Sequence, residues 1–100
     1  MVLLSVLLCT VTHELGAQDK QISISGKIVD SEGLPLPSAT VRIQNTTKGA
    51  VADAEGKYTL KVKQGDTIEV LFMGYKTVSA RISGDKTVYN FTLEEDSNML

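Results

Sequence analysis

Short runs of alternating apolar and polar residues, separated by turn sequences, constrain the fold of this chain more than any other feature. From Gln21 onward, a turn rich in Gly, Asp or Pro follows at intervals of roughly eight to twelve residues, which is typical of sandwiches and barrels. Each strand has one apolar face, so the strands must pack as two sheets. The apolar residues of the seven predicted strands lie at 22–28, 39–43, around 51, and at 58–62, 68–72, 78–82 and 89–93.

The composition is that of one globular domain rather than a nucleic-acid-binding or disordered chain. The 100 residues are 42% hydrophobic, with ten Lys and Arg against twelve Asp and Glu and a net charge of −2. Disorder is not expected at this hydrophobicity and charge. Recognition of nucleic acid needs a basic patch or aromatic stacking platforms. The balanced charge and the absence of Trp exclude that class of partner.

The N-terminus is a different kind of sequence. Residues 2–8 are an uncharged apolar run, too short to span a bilayer, and a small residue follows at Ala17. This pattern predicts a secretory signal peptide at residues 1–17, although no Lys or Arg precedes the run. A linker at 18–21, a sandwich domain at 22–95 and a polar tail at 96–100 would follow. A buried N-terminal strand or helix is the alternative, because short apolar runs are ambiguous.

No residue pattern in the chain supports catalysis or metal binding. His13 is the only histidine and Cys9 the only cysteine, and both lie in or beside the predicted signal. Lipid attachment at Cys9 is disfavoured because leucines, not small residues, precede it. Without a mature His or Cys, neither a zinc site nor a His-activated nucleophile can be built. Asp53, Glu55 and Gly56 resemble the start of a calcium loop, but the later ligands are missing, so we interpret them as a tight turn.

Four ordered motifs resemble one known family. They are G-K-I-V-D from Gly26, G-x-P-L-P-x-A-x-V from Gly33, D-A-E-G-K-Y from Asp53 and G-Y-K-T from Gly74. Together they resemble the carboxypeptidase-regulatory-like domain over residues 22–95. The resemblance implies an all-β, seven-stranded antiparallel Greek-key β-sandwich of the prealbumin (transthyretin) type.

The resemblance also implies a role in transport. Bacterial domains of this kind are similar to those that precede the TonB box, plug and barrel of SusC-like, TonB-dependent outer-membrane transporters. We therefore expect a non-enzymatic periplasmic accessory domain without cofactors, exported in a Gram-negative bacterium. Its partners would be the transporter plug and barrel and the TonB complex. The strands are too short for a membrane barrel, and the tail resembles the approach to a TonB box that is absent, so a truncated or detached domain is expected.

Two other functions stay open at this point. One is a free-standing secreted or surface sandwich that binds carbohydrate or protein, and the other is an auxiliary domain of a metallocarboxypeptidase. No binding residue is assigned from the sequence, and an exposed sheet edge could accept a partner strand. Gly74 and Tyr75 are interpreted as a bend with the ring packed over a sheet edge rather than presented to a partner. Asn45 and Asn90 match the glycosylation sequon, by chance in a Gram-negative host.

Overall fold

The computed structural model describes residues 20–97, and these form seven strands without an α-helix. The predicted signal peptide, with Cys9 and His13, lies outside the described residues. The alternating runs all became strands, because each places its apolar side chains on one face. The strands are β1 Gln21–Asp30, β2 Thr40–Ile43, β3 Gly49–Val51, β4 Lys57–Lys63, β5 Thr67–Leu71, β6 Val78–Arg81 and β7 Phe91–Leu93.

Two sheets pack face to face, which confirms the all-β, two-sheet prediction. One sheet has three strands in the order β4-β1-β7, and the other has four in the order β3-β2-β5-β6. The core between them is mainly aliphatic, with Tyr58, Tyr89 and Phe91 as its aromatic members, and none of residues 20–97 is a buried residue of the polar or charged class. The largest fully buried side chains are Ile24, Ile28, Val41, Val62, Ile68, Val70, Ile82 and Leu93.

The prediction of an antiparallel sandwich is wrong for one strand pair. β7 runs parallel to β1, with Ile28 opposite Phe91 and Asp30 opposite Leu93. After β6 in the four-stranded sheet, the chain crosses to the other sheet and arrives beside β1 in the same direction as β1. Alternation looks the same in parallel and antiparallel strands, so a one-faced apolar pattern does not distinguish them. The Greek-key connectivity stays a prediction.

A hydrogen bond that passes over Gly26 links β4 to the segment just before β7. The Tyr58 hydroxyl in β4 donates to the carbonyl oxygen of Tyr89 at 2.6 Å. That carbonyl lies directly over Gly26, where an added Cβ would be 1.9 Å from the oxygen. The neighbouring Lys27 N–H is bonded instead to the Asn90 side-chain oxygen at 2.9 Å. Glycine at position 26 thus lets a backbone carbonyl from one edge of the sheet reach a tyrosine on the other edge.

The buried Tyr58 hydroxyl predicts a loss of stability at alkaline pH. Burial, and then the nearby Tyr89, raise the pKa of Tyr58 above its ordinary value of 10. The folded protein therefore keeps this proton while the unfolded chain loses it, so stability is full below pH 10 and declines above it. We expect wild type to lose up to about 1.4 kcal/mol more per pH unit above pH 10 than Tyr58→Phe. Urea unfolding between pH 8 and 11.5 measures this, and parallel profiles for the two proteins would contradict it.

Candidate functional site

A tight turn after β5 shapes one corner of the four-stranded sheet. Gly74 has a φ of 87°, a backbone conformation that glycine adopts without strain. The turn is closed by the Tyr75 N–H, which donates to the Phe72 carbonyl at 3.0 Å. The two rings meet edge to face with their centroids 5.5 Å apart. Tyr75 is half-buried against the core, as the interpretation of Gly74 and Tyr75 as a bend with a packed ring anticipated.

An open groove of about 490 Å³ lies at this corner, and its exposed surface is mainly apolar. Strand register builds it, because Thr40 of β2 lies opposite Leu71 of β5 on the outer face. On the other side of Thr40 lies Val51 of β3, which is 63% exposed. The Met73 side chain at the turn is 90% exposed. The groove is lined by Ser38, Thr40, Leu71, Phe72, Met73, Gly74, Tyr75 and Thr77.

The segment that leaves β7 is attached to the same corner. The Lys76 N–H donates to the Glu94 carbonyl and the Asp96 N–H to the Gly74 carbonyl, both at 2.8 Å. Tyr75 and Glu95 form the antiparallel bridge between these bonds. An exposed ion pair, Lys76 Nζ to Glu94 Oε1 at 4.0 Å, adds little stability. The exit segment, residues 94–96, therefore joins the three-stranded sheet to the end of the four-stranded one.

The negative charges of three carboxylates act on the Tyr75 hydroxyl at one end of the groove. Partial burial, followed by the negative charges of Glu95, Asp30 and Glu32, raises the pKa of Tyr75. Glu95 belongs to the exit segment, Asp30 is the last residue of β1, and Glu32 lies in the turn that follows β1. The hydroxyl therefore stays neutral at physiological pH, and the groove has an acidic rim at one end.

Two carboxylates that invite a metal-binding interpretation are used by the backbone. The Asp53 side-chain oxygen accepts the N–H groups of Glu55 and Lys57, both at 2.9 Å. The Asp30 side-chain oxygen accepts the N–H groups two and four residues later in the same way. Both are tight turns, as interpreted for residues 53–56. Within residues 20–97, no group of three or more His, Cys, Asp or Glu side chains is placed to hold a metal ion.

The remaining sequence candidates lie apart from the apolar groove. Asn45 follows β2 with a φ of 66° and lines a second, polar groove of about 560 Å³. The Arg42–Glu69 ion pair, at 3.0 Å, lies in the same polar groove. Asn90 is the bonding partner of Lys27 in the β1–β7 ladder. Neither Asn lines the apolar groove, so the structure does not bring the sequon residues to one site.

The fold is that of a small all-β domain made of two packed sheets. It is similar to a chain in the crystal structure of a type II cohesin–X–dockerin complex from Acetivibrio cellulolyticus, with a TM-score of 0.60 and 24% identity. The match covers 73% of this chain and 57% of that one, and the likeness concerns the fold alone. The family model described as CarboxypepD_reg-like domain matches residues 24–100. The chain belongs to the carboxypeptidase-regulatory-like domain family.

Proteins similar to this chain in sequence include TonB-dependent receptors. The chain is 31% identical over 97 residues to the TonB-dependent receptor SusC of Bacteroides thetaiotaomicron. It is 34% identical over 76 residues to the TonB-dependent receptor P26 of Formosa agariphila. These matches cover 97% and 76% of this chain but only 9% and 8% of the two receptors. The chain thus spans less than a tenth of the length of these curated relatives. Among residues 20–97, no helix is long and apolar enough to cross a membrane.

The sequence analysis did not predict the apolar groove or its acidic rim. Met73 directly precedes the predicted bend at Gly74, and a methionine at the tip of a Gly-containing turn has little reason to be buried. The outward parity of Leu71, between inward Val70 and the turn, is the other available signal. The closeness of Glu32 and Glu95 to Tyr75 had no local signal, because both are distant in sequence.

Proposed function

We propose that this chain is a non-enzymatic accessory domain of a SusC-like, TonB-dependent outer-membrane transport system. The observation that carries the proposal is the match to the receptor SusC over 97% of this chain within 9% of that receptor. The whole chain corresponds to one small part of a larger transport protein. The family to which the chain belongs supports a role in binding or positioning rather than in chemistry.

The exit segment suggests how the domain would act. It is held to the body of the domain by two backbone hydrogen bonds to Gly74 and Lys76. Because residues 94–96 are fixed to the four-stranded sheet, the direction in which the chain reaches Ser97 is set relative to both sheets. In the proposed system the partners are the transporter plug and barrel and, through the adjoining segment, the TonB complex. Residues 1–17 act as the export signal, and the mature domain resides in the periplasm or at the outer membrane.

Fractionation with crosslinking in the Gram-negative host tests this proposal. An epitope inserted in the exposed turn at Gly84 marks the chain at a position outside both the core and the apolar groove. The tagged protein should begin near Gln18, remain in the envelope fraction and be continuous with, or crosslink to, a TonB-dependent receptor.

Three results would refute parts of the proposal. Release of the tagged domain into the medium without any receptor in the crosslinked product would favour the free-standing binder. An uncleaved product in the cytosol would contradict the proposal that residues 1–17 act as an export signal. Turnover of peptide or glycoside substrates that a single Asp or Ser substitution abolishes would refute the non-enzymatic assignment separately.

A further inference from the structure

Three apolar side chains, Leu71, Phe72 and Met73, line the same groove at the corner. Thr40 joins Val51 to Leu71 across three adjacent strands, and the turn adds Met73 and Tyr75 beyond them. Isolated exposed apolar residues are ordinary on protein surfaces, but several that line one groove mark a site of interaction. A volume of about 490 Å³ is of the size that accommodates a few side chains. Methionine adds an unbranched side chain that adapts to the shape of a partner.

Charge around the groove selects among partners. Glu95 lies opposite Tyr75 in the antiparallel bridge at one end of the groove. Glu32, on a segment far away in sequence, adds a negative charge that acts on the Tyr75 hydroxyl. Both side chains belong to exposed residues. The ion pairs formed within residues 20–97 are Arg42–Glu69 and Lys76–Glu94, so neither Glu32 nor Glu95 is neutralised by a salt bridge there. A cation on a partner would meet this rim, whereas an anion would be repelled.

We propose that the groove binds a protein segment that presents an apolar side chain next to a lysine or arginine. The apolar side chain lies against Leu71 and Met73, and the cation lies at the rim formed by Glu32 and Glu95. This inference goes beyond the transport role and does not depend on it, because it concerns a surface of the isolated domain. It also differs from edge-strand pairing, since the contacts are made by side chains on the outer face of a sheet.

Fluorescence anisotropy with two labelled synthetic peptides tests the inference on the full chain. One octapeptide carries Lys-Leu-Phe-Lys at its centre, and its partner carries Glu-Leu-Phe-Glu. The lysine peptide should bind about tenfold more tightly or better, a difference of 1.4 kcal/mol or more. The preference should shrink at about 1 M salt, where screening acts over roughly 3 Å. Equal binding of the two peptides, or binding of neither, overturns the inference.

Substitutions in and outside the groove test whether the lysine peptide binds there. Met73→Ser should weaken the lysine peptide about tenfold, whereas Val88→Ser, at an exposed apolar residue outside the groove, should leave it within about twofold. Both side chains are exposed, so the urea midpoints should match wild type and exclude unfolding as the cause. Glu32→Gln with Glu95→Gln should remove most of the preference for lysine over glutamate. Equal losses in Met73→Ser and Val88→Ser overturn the location.

Two other possible occupants of the groove are distinguished by sedimentation and by peptide binding to further variants. If a second copy fills the groove, sedimentation will show a dimer that Met73→Ser dissociates. If the residues after Ser97 fill it, Met99→Ser with Leu100→Ser will increase peptide affinity severalfold. Either result overturns the inference. A monomer whose affinity is unchanged by substitutions at 99 and 100 supports it.

Discussion

Replacing Gly26 with alanine should lower the free energy of unfolding by about 3 kcal/mol or more. The added Cβ would be 1.9 Å from the Tyr89 carbonyl oxygen and 2.6 Å from its carbon. Both are backbone atoms, so the Tyr89 peptide must rotate or β7 must move away from β1. Rotation also removes the acceptor of the Tyr58 hydroxyl, which is left buried without a partner. Typical domains are stable by only 5–15 kcal/mol, so much of the stability would be lost. Urea unfolding followed by circular dichroism measures the loss.

A double-mutant cycle distinguishes this mechanism from a general weakening of β1. Tyr58→Phe alone should cost about 1 kcal/mol for the lost hydrogen bond. In the Gly26→Ala background it should cost almost nothing, because the bond is already broken. Ser23→Ala, at an exposed position of the same strand, serves as the control and should change stability by less than about 0.5 kcal/mol. If the losses of stability in Gly26→Ala and Tyr58→Phe are additive, the Gly26→Ala substitution does not act by displacing the Tyr89 carbonyl from the Tyr58 hydroxyl.

Gly56→Ala should destabilise the domain by at least about 2 kcal/mol more than Gly33→Ala. The two glycines end equivalent turns and have φ values of 79° and 85°, so the strain of a left-handed alanine, about 1–2 kcal/mol, is common to both. Their surroundings differ. A Cβ at Gly33 meets nothing within 4 Å, whereas one at Gly56 would be 2.6 Å from the Ile28 carbonyl oxygen. That oxygen accepts the Leu36 N–H at 3.0 Å, so the clash disrupts a second backbone connection.

Thermal unfolding of the two variants side by side measures this difference. The strain of the turn conformation is common to both variants. The difference between their melting temperatures therefore reports how closely the turn after β3 approaches β1. Equal melting temperatures for the two variants would mean that β1 moves to accommodate the Cβ at little cost. A lower melting temperature for Gly33→Ala than for Gly56→Ala would contradict the packing described here.

Local features were predictable because their causes are local. The inward parity of Ile24 and Ile28 follows from alternation within one strand, and both are fully buried. The turns at Asp30 and Asp53 follow from an Asp that bonds nearby N–H groups and a Gly that takes positive φ. Each of these interactions joins residues within four positions of one another. Short-range chemistry of this kind can be read from one sequence.

The parallel β7 and the apolar groove could not be predicted in the same way. Both depend on which distant strands become neighbours, as when Thr40 lies between Val51 and Leu71. Apolar parity predicts which side chain faces the core, but it carries no information about the direction of the neighbouring strand. The requirement for glycine at position 26 is likewise set by Tyr89, which lies 63 residues away in register with β1.

The parallel pairing of β1 and β7 has a mechanical consequence. β1 is ten residues long, about 30 Å of extended chain, and β7 pairs with its C-terminal end in the same direction. The start of β1 and the end of β7 therefore lie at opposite ends of the three-stranded sheet. Tension between these two ends pulls along the β1–β7 ladder and loads its hydrogen bonds together in shear. Two antiparallel strands pulled apart from one end would instead yield one bond at a time.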